Sequence, residues 1–461
     1  MNARLFAPSR LSLMLSVLLT LVLAFAVVSP AQAATIPAGC TGTPVTDGLA
    51  LQTAVATANG TAAADIINLT MGCTYVLSSA LNISAAGGAL TIQTPAGTSA
   101  IIDGGAATRL IQVNVGANVT ISRVVLYNGS TSGNGGAILN DGTLLINNNS
   151  VLSGNKATGA ASLGGAIYSN GSLTMTDSTI SSSSLTGGAG TRGGALYNSV
   201  GVTATLTNVA FNVNIANSVA GNGFGGAIYN LGTVNLDGST FGTNQAAAGG
   251  AIYNAGALTI TTSLFNGNSV LSPGGGGAIF NANTFSANVN RSTFSSNSAA
   301  DGGALYNAGT LTLTNTTLYS NSVSSEGGGL YNAGGSSTLT NSTLVTNFAG
   351  LGGGIRNFSG TVTVNNTIVA NSTSGGDCFG TLNATHSIIE SGGCGVTYDT
   401  VPTLNRSVDP QIDVSSTTTG NQSYFPITSA TSPAVNTGDD TLAPAGFDQA
   451  GGTRNQQGAV D

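Results

Sequence analysis

Charged side chains are scarce enough to be weighed one at a time: Lys+Arg is 10 and Asp+Glu is 17 in 461 residues, with one histidine. Asp301 and Glu326 each stand immediately before a glycine pair, in two successive copies of a repeated segment. If those copies stack as neighbouring strands, the two backbones lie about 4.8 Å apart. Carboxyl groups about 5–5.5 Å apart are the geometry of a retaining glycosidase, one acting as nucleophile and the other as acid and base. The same pair offers hard oxygen ligands to a divalent cation. Arg356 follows one copy after Glu326, at a position that is Tyr in most copies; Arg192 shares the carboxylates' position four copies before Asp301, too far to join them. Asp301, Glu326 and Arg356 are therefore the candidate catalytic residues. The competing expectation is that they are solvated loop charges with no catalytic role.

His386 falls at the repeat position of Asp177, Arg291, Asn315, Asn341 and Asn366, just before a Ser or Thr. A Ser-His-Asp triad uses such a histidine as its base, but no G-x-S-x-G elbow accompanies it, and a turn position is expected. No P-loop, dinucleotide fingerprint or metal-ligand cluster is found, so neither a cofactor nor a metal is expected. The four cysteines, Cys40, Cys73, Cys378 and Cys394, include no C-x-x-C spacing, which argues against zinc. An even number in an exported chain points to disulfides. Three connectivities are possible; Cys40–Cys73 with Cys378–Cys394 is favoured, because it staples the two ends and leaves the middle free.

These residues are positioned by a repeat. A hexapeptide of the form G-G-A-I-Y-N recurs nine times, at 135–140, 164–170 (one residue longer), 193–198, 225–230, 249–254, 276–281, 302–307, 327–332 and 352–357, with starts 24 to 32 residues apart. A second unit follows each, as in 234–244 (VNLDGSTFGTN), 258–268 (LTITTSLFNGN) and 311–321 (LTLTNTTLYSN). Its alternation of apolar and polar residues is the period of a half-buried strand. A period near 25 residues with short strands predicts one turn of a parallel β-helix, each coil carrying two or three strands that pair with their equivalents one coil away. Leu and Ile fill the interior, and Gly-Gly supplies a sharp corner with positive φ. Asn140, Asn170, Asn198, Asn230, Asn254, Asn281, Asn307, Asn332 and Asn357 are predicted to form a structural amide ladder rather than a polar binding strip. A propeller, a leucine-rich repeat and a calcium-binding nonapeptide repeat all need patterns that this chain lacks.

The ends of the chain read differently. Arg4 and Arg10, the apolar stretch 11–28 and the sequence Ala31-Gln32-Ala33 form a secretory signal peptide over 1–33, cut before Ala34; an uncleaved anchor helix is the rival. No later stretch is long and apolar enough to span a bilayer. Residues 34–134 are expected to hold an N-terminal cap and irregular coils, 135–391 the regular repeats, and 392–461 a tail packed along or over the end. The cap is a helix over 46–59, started by Thr46 or Asp47, with Leu51, Ala54, Val55 and Ala58 on one face. About 12 coils give a rod about 60 Å long.

The paired motifs G-G-A-I/L and F-x-x-N, the latter at 211–214, 241–244, 265–268 and 294–297, resemble the repeats of polymorphic outer-membrane adhesins. Members of that family end in a membrane barrel that displays the β-helix, and that mode of display is not expected here. The stretch around Cys40, with 51–59 (LQTAVATAN), 65–69 (DIINL) and 72–77 (GCTYVL), and the tail segments 409–411 (DPQ), 432–434 (SPA), Asp448-Gln449 and 458–461 (GAVD), is similar to bacterial exported right-handed β-helix proteins of the choice-of-anchor type. That resemblance covers nearly the whole mature chain. It implies an all-β, right-handed single-stranded parallel β-helix; the general handedness of parallel crossovers agrees.

Charged residues make up 6% of the chain, against about 25% in an ordinary soluble domain. Removing the signal leaves eight basic side chains against 17 acidic ones, which argues against a nucleic-acid partner. Hydrophobic residues at 41% argue against disorder. The expected role is an exported, non-enzymatic rod at the cell surface, adhesin-like or structural, contacting glycans or other surface components. The alternative is a pectate-lyase-like polysaccharide lyase or glycoside hydrolase using Asp301, Glu326 and Arg356. A third reading, ice binding, rests on outward T-x-T pairs such as Thr259/Thr261 and Thr312/Thr314.

Overall fold

The computed structural model describes residues 33–434 except 189, 218–221, 272, 399–407, 414, 416, 421 and 428–431. The expected signal peptide, but for Ala33, lies outside the described residues, as do the tail segments Asp448-Gln449 and 458–461.

The chain winds into a right-handed parallel β-solenoid of about 12 turns with one helix near its N-terminus. One coil shows the plan. Ile252–Asn254, Ala257–Thr261, Leu264–Asn266 and Ser269–Val270 follow one another, and each pairs in parallel with its equivalent one coil away. The fourth strand, often only two residues long, goes beyond the two or three expected per coil. Alternation explains the winding: Ile252, Leu258, Ile260 and Phe265 point inward and are buried, while Thr259 and Asn266 point out.

Corners follow backbone chemistry. The first glycine of each hexapeptide has positive φ, for example 61° at Gly249. The second serves a different need: a Cβ on Gly250 would run into the backbone carbonyl of Gly277 in the next coil. The corner between the second and third strands is also left-handed, at Asp177, Asn208, Arg291, Asn315, Asn341, Asn366 and His386, with φ of 46–53°. Asn and Asp tolerate that conformation better than most side chains.

The N-terminal end is closed by the helix Pro44–Asn59. It begins two residues before the expected start, with Thr43 as N-cap and Pro44 in the first turn, where a missing N–H costs nothing. Asp47 does not cap; it accepts hydrogen bonds from the backbone N–H and hydroxyl of Thr41, at 2.7 and 2.8 Å. Leu51, Ala54, Val55 and Ala58 are buried against the first coils. Gly48 lets the helix approach closely, because a Cβ there would strike the carbonyl of Val76. Disulfides join Cys40 to Cys73 and Cys378 to Cys394, with Cα atoms 6.2 and 5.6 Å apart.

At the other end the coils continue to Gly392–Tyr398, paired with Cys378–Thr385. The described part of the tail then lies along the side of the rod. Ile412, Phe425 and Ile427 gather with Tyr319, Val345, Ile368 and Ala370. The backbone N–H of Ser423 donates to the hydroxyl of Thr293 at 2.9 Å.

Candidate functional site

Asp301 and Glu326 are paired positions in adjacent coils, on the short strands Ser298–Asp301 and Ser322–Glu326 that lead into the glycine corner. The backbone N–H of Glu326 donates to Oδ1 of Asp301 at 3.2 Å. Nε of Arg356 lies 2.9 Å from Oε2 of Glu326, and the two side chains are 11% and 23% exposed. The Arg356 guanidinium sits 4.7 Å from the ring centre of Phe379 and 5.5 Å from that of Phe358. The three candidates are thus brought together, but each carboxylate is engaged. One oxygen of Asp301 braces the next coil's backbone, and one oxygen of Glu326 is held by a cation sandwiched between rings.

A stack of aromatic rings runs into this cluster. Tyr168, Tyr197, Tyr229, Tyr253, Phe280, Tyr306 and Tyr331 lie face to face in successive coils, with ring centres 4.5–5.5 Å apart. Burial, then the charges of Asp301 and Glu326, push the Tyr331 hydroxyl up to about 12. Burial also raises Tyr197, Tyr229, Tyr253 and Tyr306. Arg192 lies 5.2 Å over the ring of Tyr229, remote from the carboxylates.

Beneath the surface the amides are structural. Nδ2 of Asn198 donates to Oδ1 of Asn230 at 2.9 Å, and the chain continues through Asn254, Asn281, Asn307, Asn332 and Asn357 at 2.8–3.0 Å. Asn170 does not belong to it. The paired position is Ser169, which accepts from Nδ2 of Asn140 at 3.1 Å, while Asn170 is exposed and donates to Asp141 at 3.2 Å. The cause is the extra residue: the strand Ile167–Ser169 must keep Ile167 in the core and Tyr168 in the ring stack, so the third position takes the slot and Asn170 moves into the turn.

A second ladder is carried by positions whose role the sequence alone does not show. Asn214, Asn244, Asn268, Asn297, Asn321 and Asn347 are fully buried and linked Nδ2 to Oδ1 at 2.9–3.0 Å. Four of them are the final residue of an F-x-x-N motif, so the signal was on view. The Phe of that motif stacks in the core, with Phe211, Phe241, Phe265 and Phe294 spaced 4.5–4.8 Å.

The outward face of the longest strands is almost uncharged. Thr174, Thr205, Asn235, Thr259, Asn288, Thr312, Thr338 and Thr363 are aligned, and a parallel row runs Thr176, Thr207, Asp237, Thr261, Asn290, Thr314, Thr340 and Asn365. Asp237 is the one charged residue in these rows, and it accepts from the Thr261 hydroxyl at 2.8 Å. The T-x-T pairs are interrupted in register by Asn235/Asp237 and Asn288/Asn290. His386 occupies the left-handed corner. Among the described residues, Cys40, Asp47 and Cys73 come close enough to hold a metal ion, but both sulfurs are tied in one disulfide.

The family model of the Chlamydia polymorphic membrane protein repeat matches residues 291–308, which carry Phe294, Asn297 and the glycine corner Gly302-Gly303. No curated protein and no solved structure matches the chain. No helix among the described residues is long and apolar enough to cross a membrane. A segment of one coil, residues 291–308, is therefore similar to the Chlamydia polymorphic membrane protein repeat.

Proposed function

We propose that this protein is an exported rod displayed at the cell surface, adhesin-like, which contacts neutral glycans through its outer faces and catalyses no reaction. The observation that carries the reading is the pair of Thr/Asn rows. They present hydroxyls and amides at a strand-to-strand spacing of about 4.8 Å, with a single carboxylate among them. Such a face suits ligands that are neutral and rich in hydroxyl groups. The polymorphic membrane protein repeat supports surface display; the likeness to choice-of-anchor proteins rests on the cap and tail motifs alone. Antibody labelling of intact cells, with recovery of the protein on immobilised neutral polysaccharides, tests both halves. Labelling only after lysis removes surface display, and no retention on any polysaccharide removes the glycan contact.

The pectate-lyase-like alternative is favoured by one fact, the meeting of Asp301, Glu326 and Arg356 on one edge. Arg356 holds one oxygen of Glu326 and leaves the other for a substrate.

A further inference from the structure

The turn after each ladder asparagine sets the relief of one edge of the rod. Residues 199–202 and 282–285 cross in four residues the step that 231–232 and 255–256 cross in two, while the pairing on either side stays in register. The longer turns must bulge, and they stand three coils apart, about 14 Å. Val200, at the crest of one, is 75% exposed. Between the longer turns lies a shallow hollow of about 420 Å³, broadly open to solvent and bordered by Leu231, Thr233, Ala257, Thr284, Phe285 and Ser286. No lining residue is charged.

The same relief occurs once more, between the four-residue turns 114–117 and 199–202, with two short turns between them. There Asp141 and Asn170 occupy the floor. The two troughs share a backbone plan and differ in chemistry, one acidic and one neutral with an aromatic wall.

We propose that the neutral trough is a binding site for a short stretch of neutral oligosaccharide. Phe285 offers an apolar surface to the C–H face of a sugar ring, and the hydroxyls of Thr233, Thr284 and Ser286 flank it for hydrogen bonding. An anionic sugar finds no cation among these residues. The site deepens the glycan-contact reading and rests on it.

Calorimetric titration of the whole protein with cellohexaose, xylohexaose, maltohexaose and N-acetylchitohexaose, with hexagalacturonate as the anionic counterpart, tests the site. Ala257→Trp fills the trough from an exposed strand position. Leu231→Asp copies the Asp141-Gly142 turn, so the fold tolerates it. Each is expected to weaken binding of a neutral hexasaccharide about tenfold. Thr143→Trp, at the equivalent strand position of the acidic trough, should leave it within about twofold. Binding by the native protein that both trough variants retain overturns this site and leaves the glycan reading standing. Binding of no neutral hexasaccharide, or of hexagalacturonate alone, overturns both.

Discussion

Ser169 occupies the ladder position directly before Asn198, and its hydroxyl donates to the carbonyl of Gly171 at 2.8 Å, leaving Oδ1 of Asn198 buried without a hydrogen-bond donor. Everywhere further along, that oxygen is met by the amide of the preceding coil. Ser169→Asn should close the gap, because its Nδ2 falls where the other ladder amides donate. A buried hydrogen bond restored to an orphaned acceptor is worth about 1 kcal/mol. The expected result is a higher denaturant midpoint with an unchanged slope; a lower midpoint would show that the coil has no room for the amide.

Phe265 lies between Phe241 and Phe294, with ring centres 4.5 and 4.7 Å away, and is fully buried. Phe265→Ala removes the ring that stacks on both neighbours and leaves a cavity, for an expected loss of about 3–5 kcal/mol. Val115, 78% exposed, is the contrast: its truncation to Ala should change stability by about 0.5 kcal/mol or less. Equilibrium denaturation of the two variants checks the difference, and equal losses would contradict the assignment of the core.

The ring stack makes the fold sensitive to alkali. The Tyr331 hydroxyl is raised from 10.0 to about 12, first by burial and then by Asp301 and Glu326. The folded state therefore holds this proton more tightly than the unfolded state. Its contribution to stability is complete below pH 10 and is lost as pH rises from 10 toward 12. Tyr197, Tyr229, Tyr253 and Tyr306, raised by burial, act in the same direction. Denaturant midpoints should fall across that window, less steeply in Tyr331→Phe. Tyrosinate absorbance of the folded protein should lag that of the unfolded chain; coincident titrations would contradict the burial of the stack.

The solenoid was legible because its determinants are local and repeated. A glycine pair, an inward Ile or Leu and an Asn at a fixed offset can be counted along the chain, and the cap helix declares its buried face through Leu51, Ala54, Val55 and Ala58. Asn170 misled because an inserted residue can fall on either side of a ladder slot, and only the pairing of Tyr168 with Tyr197 decides which. The second amide ladder was visible as a motif but silent as to role, since F-x-x-N does not say that the Asn turns inward. The repeat register puts Asp301, Glu326 and Arg356 on neighbouring coils; that Arg356 reaches back to Glu326 depends on a side-chain direction, which spacing does not carry. Turn lengths were equally readable, yet a trough emerges only once long turns are known to lie three coils apart on one edge.

Binding without turnover is the claim on which the functional account stands, and one assay addresses it directly. The purified protein is incubated with a panel of neutral and acidic polysaccharides, and retention is scored in the same samples as newly formed reducing and unsaturated ends. The account predicts retention on a neutral polysaccharide with no new ends, unchanged in Asp301→Asn and Glu326→Gln. Release of chain ends by the native protein, abolished in either variant, would contradict it and make the carboxylate pair an active site.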